Sequence, residues 1–285
     1  VCLHRRSEIP MDDGPILIAG RTGQVARALL DLAVVYNEPL VAVGRPQLDL
    51  ADPASIERVA TSIAPRAIVN AAAYTAVDRA EAEPALAFAV NHDGAANLAA
   101  VAARLRIPFV HLSTDYVFDG HKVSPYFEDD PLAPLSVYGQ SKLAGEKAVR
   151  EIYPGSLVLR TSWVYSSCGH NFVRTMLHLA ATRDVVWVID DQHGAPTAAS
   201  DLARAILDIL TSPAASEAAG LYHVTAVGET TWHGFAAAIF SGWARRGHRV
   251  PTLAATKTAE YPLPARRPMN SRLDCSKIER TFGVR

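Results

Sequence analysis

The chain has 285 residues, 49% of them hydrophobic and 20% charged, and its 28 basic and 29 acidic side chains give a formal net charge of −1. This composition is typical of a globular protein without a nucleic-acid or membrane partner, and no apolar run approaches the roughly 20 residues that a membrane span needs. The three cysteines form no C-x-x-C motif, so neither a disulfide framework nor a structural zinc site is expected, and a reducing, cytoplasmic setting is favoured.

Residues 1–13 precede the first strand-like run and carry several charges but no apolar segment. A secretory signal would contain such a segment. We therefore expect residues 1–13 to be a disordered extension outside the folded domain.

Short apolar runs alternate with segments of helical periodicity through the first 165 residues. Unbroken apolar strands separated by helices are typical of a parallel sheet that is covered on both faces. The pattern predicts a doubly wound α/β Rossmann domain over residues 14–165. The strand-like runs are PILIAG (15–20), PLVAVG (39–44), AIVNAAA (67–73), IPFVHLS (107–113) and SLVLRTSWVY (156–165).

The rhythm loosens after residue 165, where Gly, Pro and His are scattered through the chain. We expect residues 166–285 to form mainly a smaller C-terminal substrate-binding lobe. Within it, the strand-like VVWVIDD and the helix-like SDLARAILDILTS, about residues 185–212, are expected to return to the Rossmann sheet. A short strand, LYHVT, and a helix, TWHGFAAAIFSGWARR, are predicted to follow.

The first strand ends in GRTGQV, at the turn that opens the first predicted helix. Glycine at this turn lets backbone N–H groups approach a pyrophosphate, whose charge the helix N-terminus favours. The segment therefore predicts a dinucleotide site. Its expected cofactor-binding residues are Gly20, Arg21, Thr22, Gly23, Gln24 and Val25.

The second strand ends at Gly44 and Arg45, where NAD-selective sites carry an acidic residue for the ribose hydroxyls. Without that carboxylate a 2′-phosphate meets no repulsion, and Arg45 or Arg21 could pair with it. NADPH is therefore expected as the cofactor in preference to NADH. Further contacts are expected from Asp49 and Leu50 at the adenine, and from residues 70–73, including Ala72 and Ala73, at the pyrophosphate and ribose.

A hydroxyl, a phenol and an amine are placed for proton transfer. Thr114 follows the strand-like run 107–113, and strand C-termini form the site in open α/β sheets. Tyr138 and Lys142 lie four residues apart in the helical stretch VYGQSKLAGEKA and so share one helix face. These three are the predicted catalytic residues, with Tyr138 as the proton donor and Lys142 beside it to modulate its pKa.

The glycine loop, STDYVF and Y-x-x-x-K occur in an order that resembles the extended short-chain dehydrogenase/reductases. The details are more similar still to the family of dTDP-4-dehydrorhamnose reductases. This resemblance runs from about residue 15 to residue 283. It is carried by GRTGQV, VNAAAYTAVDRAE, STDYVFDG, VYGQSKLAGEKA, LRTSWVY, NFVRTML, DQHGAPT, GLYHVT and PARRPMNSRLD.

The resemblance implies hydride transfer from NADPH to the C4 ketone of dTDP-4-dehydro-L-rhamnose, with Tyr138 protonating the developing alkoxide. Lys142 and the oxidised nicotinamide are expected to lower the pKa of Tyr138 from about 10. Lys142 is also expected to bind the nicotinamide ribose, and Thr114 the ketone oxygen. The implied substrate contacts are Asp115 and Trp163 at the sugar, Thr75 and Val77 near the nicotinamide and sugar, and Asn171 with Arg266 or Arg267 at the diphosphate.

Two further expectations concern metal and assembly. Some relatives bind magnesium at a subunit contact through carboxylates, yet GQVARALLD offers none before Asp31. We therefore expect no metal, and either a monomer or a weak homodimer.

Two alternatives share parts of this pattern. Nucleotide-sugar 4,6-dehydratases have the same fold and Y-x-x-x-K pair but use an Asp-Glu pair after the Thr, where this chain has Asp115 and Tyr116. The regulatory subunit of methionine adenosyltransferase resembles the reductase and binds NADP as a binding module. Ketosugar-dependent oxidation of NADPH by the lone protein separates the reductase from that module.

Overall fold

A computed structural model describes residues 14–216 and 218–284, so the expectation for residues 1–13 lies outside the described part of the chain. None of the helices in these two ranges has the length and apolar character needed to cross a bilayer.

The strands are β1 Ile16–Ala19, β2 Leu40–Val43, β3 Ala67–Asn70, β4 Phe109–Thr114, β5 Leu157–Thr161, β6 Val164–Tyr165, β7 Val185–Ile189, β8 His193–Gly194, β9 Thr197–Ala198, β10 Gly220–His223, β11 Thr230–Thr231 and β12 Thr252–Thr256. The α-helices are α1 Gln24–Tyr36, α2 Pro53–Ile63, α3 Val77–Ala80, α4 Pro84–Phe88, α5 Gly94–Leu105, α6 Val137–Ile152, α7 Phe172–Thr182, α8 Ala199–Thr211, α9 Trp232–Ala244 and α10 Ser276–Phe282, with a π-helical turn at Ala89–Asp93.

Six parallel strands form the central sheet, in the order β10-β5-β4-β3-β1-β2. The chain leaves β1 for β2 on one side and then returns to β3 on the other side of β1. The strand order therefore reverses between β1 and β3, which is where open α/β sheets bind ligands. The predicted doubly wound Rossmann sheet is confirmed.

Both faces of this sheet are covered, which explains why its strands read as continuous apolar runs. In β1, Ile16 and Ile18 pack into a core with α1 and α8, whereas Leu17 and Ala19 face a second core with α2 and α5. Successive side chains of a strand point to opposite faces, so a strand buried on both sides needs apolar residues at every position.

The strand β7 departs from the prediction. It pairs in parallel with β12 outside the central sheet, while β10 is the strand that extends the sheet beside β5. The expected return of residues 185–212 to the sheet is wrong for this strand, although α8 packs against the core beside α1. The physical reason is visible in β7, because Val186 and Val188 are buried against α7 and α9 whereas Trp187 is 64% exposed. Such alternation is typical of a strand covered on one face only.

Candidate active site

The glycine loop joins β1 to α1 at the point where the strand order reverses. Gly20 has a φ of 107°, and a Cβ there would lie 3.2 Å from the backbone nitrogen of Ala72. Gly23 is the N-cap of α1 and provides no side-chain capping bond, while Thr22 and Gly23 are exposed. The first-turn N–H groups are thus left for an anion, and the loop fits a dinucleotide pyrophosphate. Val25 is buried in the core, so only its backbone could take part.

Gln24 and Asn171, expected at two different ligands, contact each other. The Asn171 amide donates to Gln24 Oε1 at 2.8 Å and to the Ser166 carbonyl at 2.9 Å. The Asn171 side chain also caps α7 by accepting from the Arg174 backbone N–H at 3.1 Å, and the residue is 7% exposed. The structure therefore gives Asn171 a capping role, and the expected contact with a substrate diphosphate would require these bonds to break.

The ends of β1 and β2 bring two arginines to one corner of the sheet. Arg21 and Arg45 are exposed, and a Cβ on Gly44 would lie 3.0 Å from the Arg21 backbone nitrogen. Asp49 accepts from the Ala51 backbone N–H at 3.0 Å, and Leu50 is buried against the α5 N-terminus at Gly94. The two cations are free to face a ligand, whereas Leu50 could contact an adenine only through its backbone.

The loop after β3 is fixed by Asn91, a residue that the sequence reasoning missed. Asn91 Oδ1 accepts from the Tyr74 N–H at 2.8 Å, and its amide donates to the Tyr74 carbonyl at 3.1 Å and to Ser141 Oγ at 3.0 Å. Asn91 lies in the π-helical turn, a distortion that is frequent at functional sites. It holds the loop containing Ala72, Ala73 and Thr75 against α6. Asn91 stands beside His92 and Asp93 in the sequence, so no local pattern distinguishes it.

Tyr138 lies in the first turn of α6, where Ser136 caps the helix by accepting from Gly139 N–H at 3.2 Å. Burial raises the pKa of the Tyr138 phenol to about 12, and hydrogen bonding with Thr114 opposes this rise. Thr114 and Tyr138 are thus brought together as predicted. The direction of the pKa shift is opposite to the lowering implied by the family resemblance. A phenol with this pKa is protonated at neutral pH, which is the state that a proton donor needs.

Lys142 lies one turn further along α6 and is 2% exposed. Its ammonium donates to the Leu112 carbonyl at 2.6 Å, directed toward β4. Burial lowers the pKa of Lys142 to about 8, and the Glu146 carboxylate opposes this lowering. Because this pKa is above 7, the amine is mainly charged at neutral pH.

Asp115 follows Thr114 and is 2% exposed. Its Oδ1 accepts from the Thr114 hydroxyl at 3.1 Å, and its Oδ2 has no hydrogen-bond partner among the residues of the described ranges. Burial raises the pKa of Asp115 to about 6, while hydrogen bonds from Ser271 and Thr114 oppose the rise. The free oxygen is an acceptor of the kind that a sugar hydroxyl would satisfy.

Trp163 is held in the left-handed backbone region, with a φ of 49°. Its ring stacks on Trp232 with 3.5 Å between the centroids, and a Cβ on Gly194 would lie 2.4 Å from its Cε2. Trp163 is therefore packed between the Trp232 ring and Gly194. A bulky residue keeps such a backbone conformation only when its surroundings fix it, and this happens mainly at functional sites. Trp232 and Gly194 were not predicted as part of the site.

Arg267 forms a bidentate ion pair with Asp78, with Nη2 to Oδ2 at 2.7 Å and Nη1 to Oδ1 at 3.1 Å. This pair lowers the pKa of Asp78, with the hydrogen bond from Arg267 as the main cause. Arg266 is exposed. Both arginines line a cavity of about 250 Å³, whose other walls include Leu135, Gln192, Tyr261, Leu263 and Met269. An anionic group bound in this cavity would lie beside both guanidinium groups.

The described ranges contain no group of three or more His, Cys, Asp or Glu side chains arranged to hold a metal ion.

Known proteins with similar sequences and similar folds identify the family of this chain. The RmlD substrate binding domain family matches residues 14–285. A dTDP-4-dehydrorhamnose reductase of Sinorhizobium fredii is 48% identical over 273 residues, which cover 95% of this chain and 92% of the relative. The fold is similar to a dTDP-4-dehydrorhamnose reductase of Clostridium acetobutylicum, with a TM-score of 0.87, 36% identity and 94% and 92% of the two chains covered. The reductase of Bacillus anthracis, solved in complex with NADP, gives a TM-score of 0.86 at 32% identity, with 94% and 98% covered.

Proposed function

The chain belongs to the family of dTDP-4-dehydrorhamnose reductases, and on this premise we propose that it reduces the C4 ketone of dTDP-4-dehydro-L-rhamnose to give dTDP-L-rhamnose, with NADPH as the cofactor. This is the final step of dTDP-rhamnose biosynthesis. The observation that carries the proposal is the meeting of Tyr138 and Thr114 at the end of β4, with Lys142 on the same helix face as the phenol. The glycine loop lies at the same edge of the sheet, between β1 and α1.

NADPH, when bound, supplies the hydride. The backbone from Gly20 to Val25 would hold its pyrophosphate, and Lys142 would turn from Leu112 to its nicotinamide ribose. Tyr138 donates its proton to the ketone oxygen as negative charge develops there. Thr114 donates a hydrogen bond to the same oxygen and orients the ketone toward the phenol.

The remaining substrate contacts are proposed from the shape and charge of the site. Asp115 would accept a hydrogen bond from a sugar hydroxyl through its free Oδ2, and the accessible part of the half-buried Trp163 side chain would contact the sugar. We propose that the cavity beside Arg266 and Arg267 holds the nucleotide. Residues 14–165 would then bind mainly the cofactor, and residues 166–285 mainly the substrate. The oligomeric state, a monomer or weak homodimer, and the cytoplasmic location stay predictions.

Arg266 is the better candidate for the substrate diphosphate, because Arg267 is already paired with Asp78. We expect Arg266→Ala to raise KM for the ketosugar about tenfold, the loss of one charge-assisted hydrogen bond, with little change in kcat. Arg267→Ala should instead lower Tm, because it leaves the partly buried Asp78 carboxylate without its partner. Steady-state kinetics and thermal melts of both variants measure this, and an unchanged KM in Arg266→Ala would contradict the assignment.

The preference for NADPH is expected to depend on the arginines at the ends of β1 and β2. We expect Arg45→Ala or Arg21→Ala to reduce the NADPH-to-NADH ratio of kcat/KM by about tenfold, since a charge-assisted contact with the 2′-phosphate contributes about 1.5 kcal/mol or more. An acidic residue in place of Gly44 would also be expected to shift the preference toward NADH. The alanine variants of Arg45 and Arg21 are the better test, because a Cβ at position 44 would crowd the Arg21 backbone. The measurement is kcat/KM for both cofactors at one ionic strength. If both alanine variants keep the wild-type ratio, neither arginine sets the choice.

The test of the function itself is NADPH oxidation, followed by its absorbance, with the purified protein and dTDP-4-dehydro-L-rhamnose. Oxidation that depends on the ketosugar supports the reductase, and its absence would favour a binding module. Dehydration is not favoured, because Tyr116 stands where the acid of a dehydratase pair would be, and burial raises the pKa of this phenol above its ordinary value.

A further inference from the structure

A buried ion pair lies beneath the catalytic residues. Glu146 of α6 accepts from Arg160 at both carboxylate oxygens, with Nε to Oε1 at 2.9 Å and Nη2 to Oε2 at 2.7 Å. Ser113 Oγ donates to the same Oε1. The two charged side chains are 2% and 1% exposed, respectively. Desolvating a charge pair to this extent is costly unless its hydrogen bonds are well made, and its position therefore calls for a reason beyond packing.

Each member of this network adjoins a residue of the proposed reaction. Glu146 follows Lys142 by four residues and Tyr138 by eight, so all three share one face of α6. Ser113 immediately precedes Thr114 and is the register partner of Arg160 on β5. The network thus joins the end of the catalytic strand, the catalytic helix and the neighbouring strand.

Glu146 also acts on Lys142 through its charge, because its carboxylate favours the charged ammonium. Lys142 and Arg160 are both cations that the Glu146 carboxylate attracts. His111 on β4 has a pKa well below its ordinary value because of burial and then the charge of Lys142, so it is neutral. His223, on β10, is neutral for a similar reason, burial followed by the charge of Arg160. At the Tyr138 end of the site lie this protonated phenol and Asp115.

We propose that Glu146 is a positioning residue for the reduction, whose carboxylate, anchored by Arg160 and Ser113, keeps the Lys142 ammonium charged and aligned with Tyr138. Lys142 can then hold the cofactor ribose as a cation while the phenol beside it donates its proton. The proposal rests on the proposed function for its catalytic consequence, but the charge of Lys142 can be followed by cofactor binding alone.

The test compares two substitutions with opposite electrostatic signs. Glu146→Gln removes an anion near Lys142, which favours the neutral amine, so the loss of NADPH affinity on raising the pH should begin at lower pH. Arg160→Met removes a cation and leaves the anion, so the same loss should move to higher pH. We expect each midpoint to shift by about half a pH unit or more, since removing one charge from a buried network changes the pKa of a neighbouring group by this amount or more. Glu146→Asp, which keeps the charge, should stay closer to the wild type than Glu146→Gln.

If the Glu146–Arg160 ion pair only stabilised the fold, the result would be different. Both single variants should have a lower Tm, because each leaves a buried charge unpaired, but a packing defect gives no reason for midpoints that move in opposite directions. If the single variants do not fold, the neutral pair Glu146→Gln with Arg160→Gln decides. Glu146 is the charge that acts on Lys142, so the midpoint should still fall in this double variant. Opposite shifts in the singles, or a fall in the double variant, support the proposal. Unchanged midpoints, or single variants that shift in the same direction, overturn it.

NADPH titrations from pH 6 to pH 10 give these midpoints without the ketosugar. The result for Glu146 therefore does not depend on whether the chain reduces the ketosugar. If the chain also reduces the ketosugar, the alkaline limb of kcat/KM should move in the same direction as the binding midpoint in each variant. A limb that moves against the binding midpoint would overturn the link between Glu146 and catalysis.

Discussion

Tyr138→Phe is expected to lower kcat for ketosugar reduction by about 10² to 10⁴-fold, the usual contribution of a positioned general acid. The phenylalanine ring fills the same space but has no proton to give. Because burial keeps the pKa of Tyr138 near 12, the wild-type phenol is protonated throughout the neutral range. The loss should therefore be nearly independent of pH between 6 and 7, where Lys142, with a pKa of about 8, also stays charged.

The affinity for NADPH should be almost unchanged in this variant, since the hydroxyl is directed toward Thr114. Tyr153→Phe is a matched control, because it removes a phenol just after the last residue of α6, outside the site, and it should keep the wild-type rate. The measurements are kcat by NADPH absorbance and the cofactor Kd by fluorescence titration. More than half of the wild-type kcat in Tyr138→Phe would show that another group donates the proton.

Lys142→Met is expected to impair both cofactor binding and turnover. Its ammonium is the proposed partner of the nicotinamide ribose, and a hydrogen bond to a charged group contributes about 1.5 to 3 kcal/mol, so the Kd for NADPH should rise by about ten- to a hundredfold. The rate should fall as well, because the developing phenolate of Tyr138 loses the cation beside it.

The fold should tolerate this change. Burial lowers the pKa of Lys142 to about 8, so the amine stays mainly charged at pH 7 but burying that charge costs free energy of folding. Methionine, which fills similar space, removes that desolvation cost. We expect Tm to be unchanged or raised. Lys147→Met, on the exposed side of α6, is the matched control and should alter neither Kd nor kcat. A change in the KM for the ketosugar alone would contradict the role given to Lys142.

Some residues of the candidate site were predicted from sequence patterns, and others were not. Tyr138 and Lys142 follow from helical periodicity, and Thr114 follows from its place at the end of a strand. Asn91, Glu146 and Trp232 were not predicted, although each contacts a predicted residue or its element. Their polar or aromatic side chains are unremarkable in an amphipathic sequence, and their importance comes from partners far away along the chain.

The Rossmann sheet, the glycine loop and the spacing of the catalytic helix could be predicted from the amino-acid sequence. These features depend on local patterns: the apolar run of a strand buried on both faces, the glycine of a tight turn and the four-residue spacing of one helix face. Each of these patterns is contained within a few consecutive residues, so it can be recognised without knowing which segments pack against it.

The partners of the polar side chains became known from the three-dimensional structure. It placed β7 beside β12 instead of in the central sheet, joined Gln24 to Asn171 and paired Arg267 with Asp78 across 189 positions. It also buried Glu146 against Arg160 beneath Lys142. Periodicity shows which face of an element is buried, but a buried charge or amide binds whatever group the packing of distant segments brings within hydrogen-bond distance. That group is fixed by the way the layers pack together.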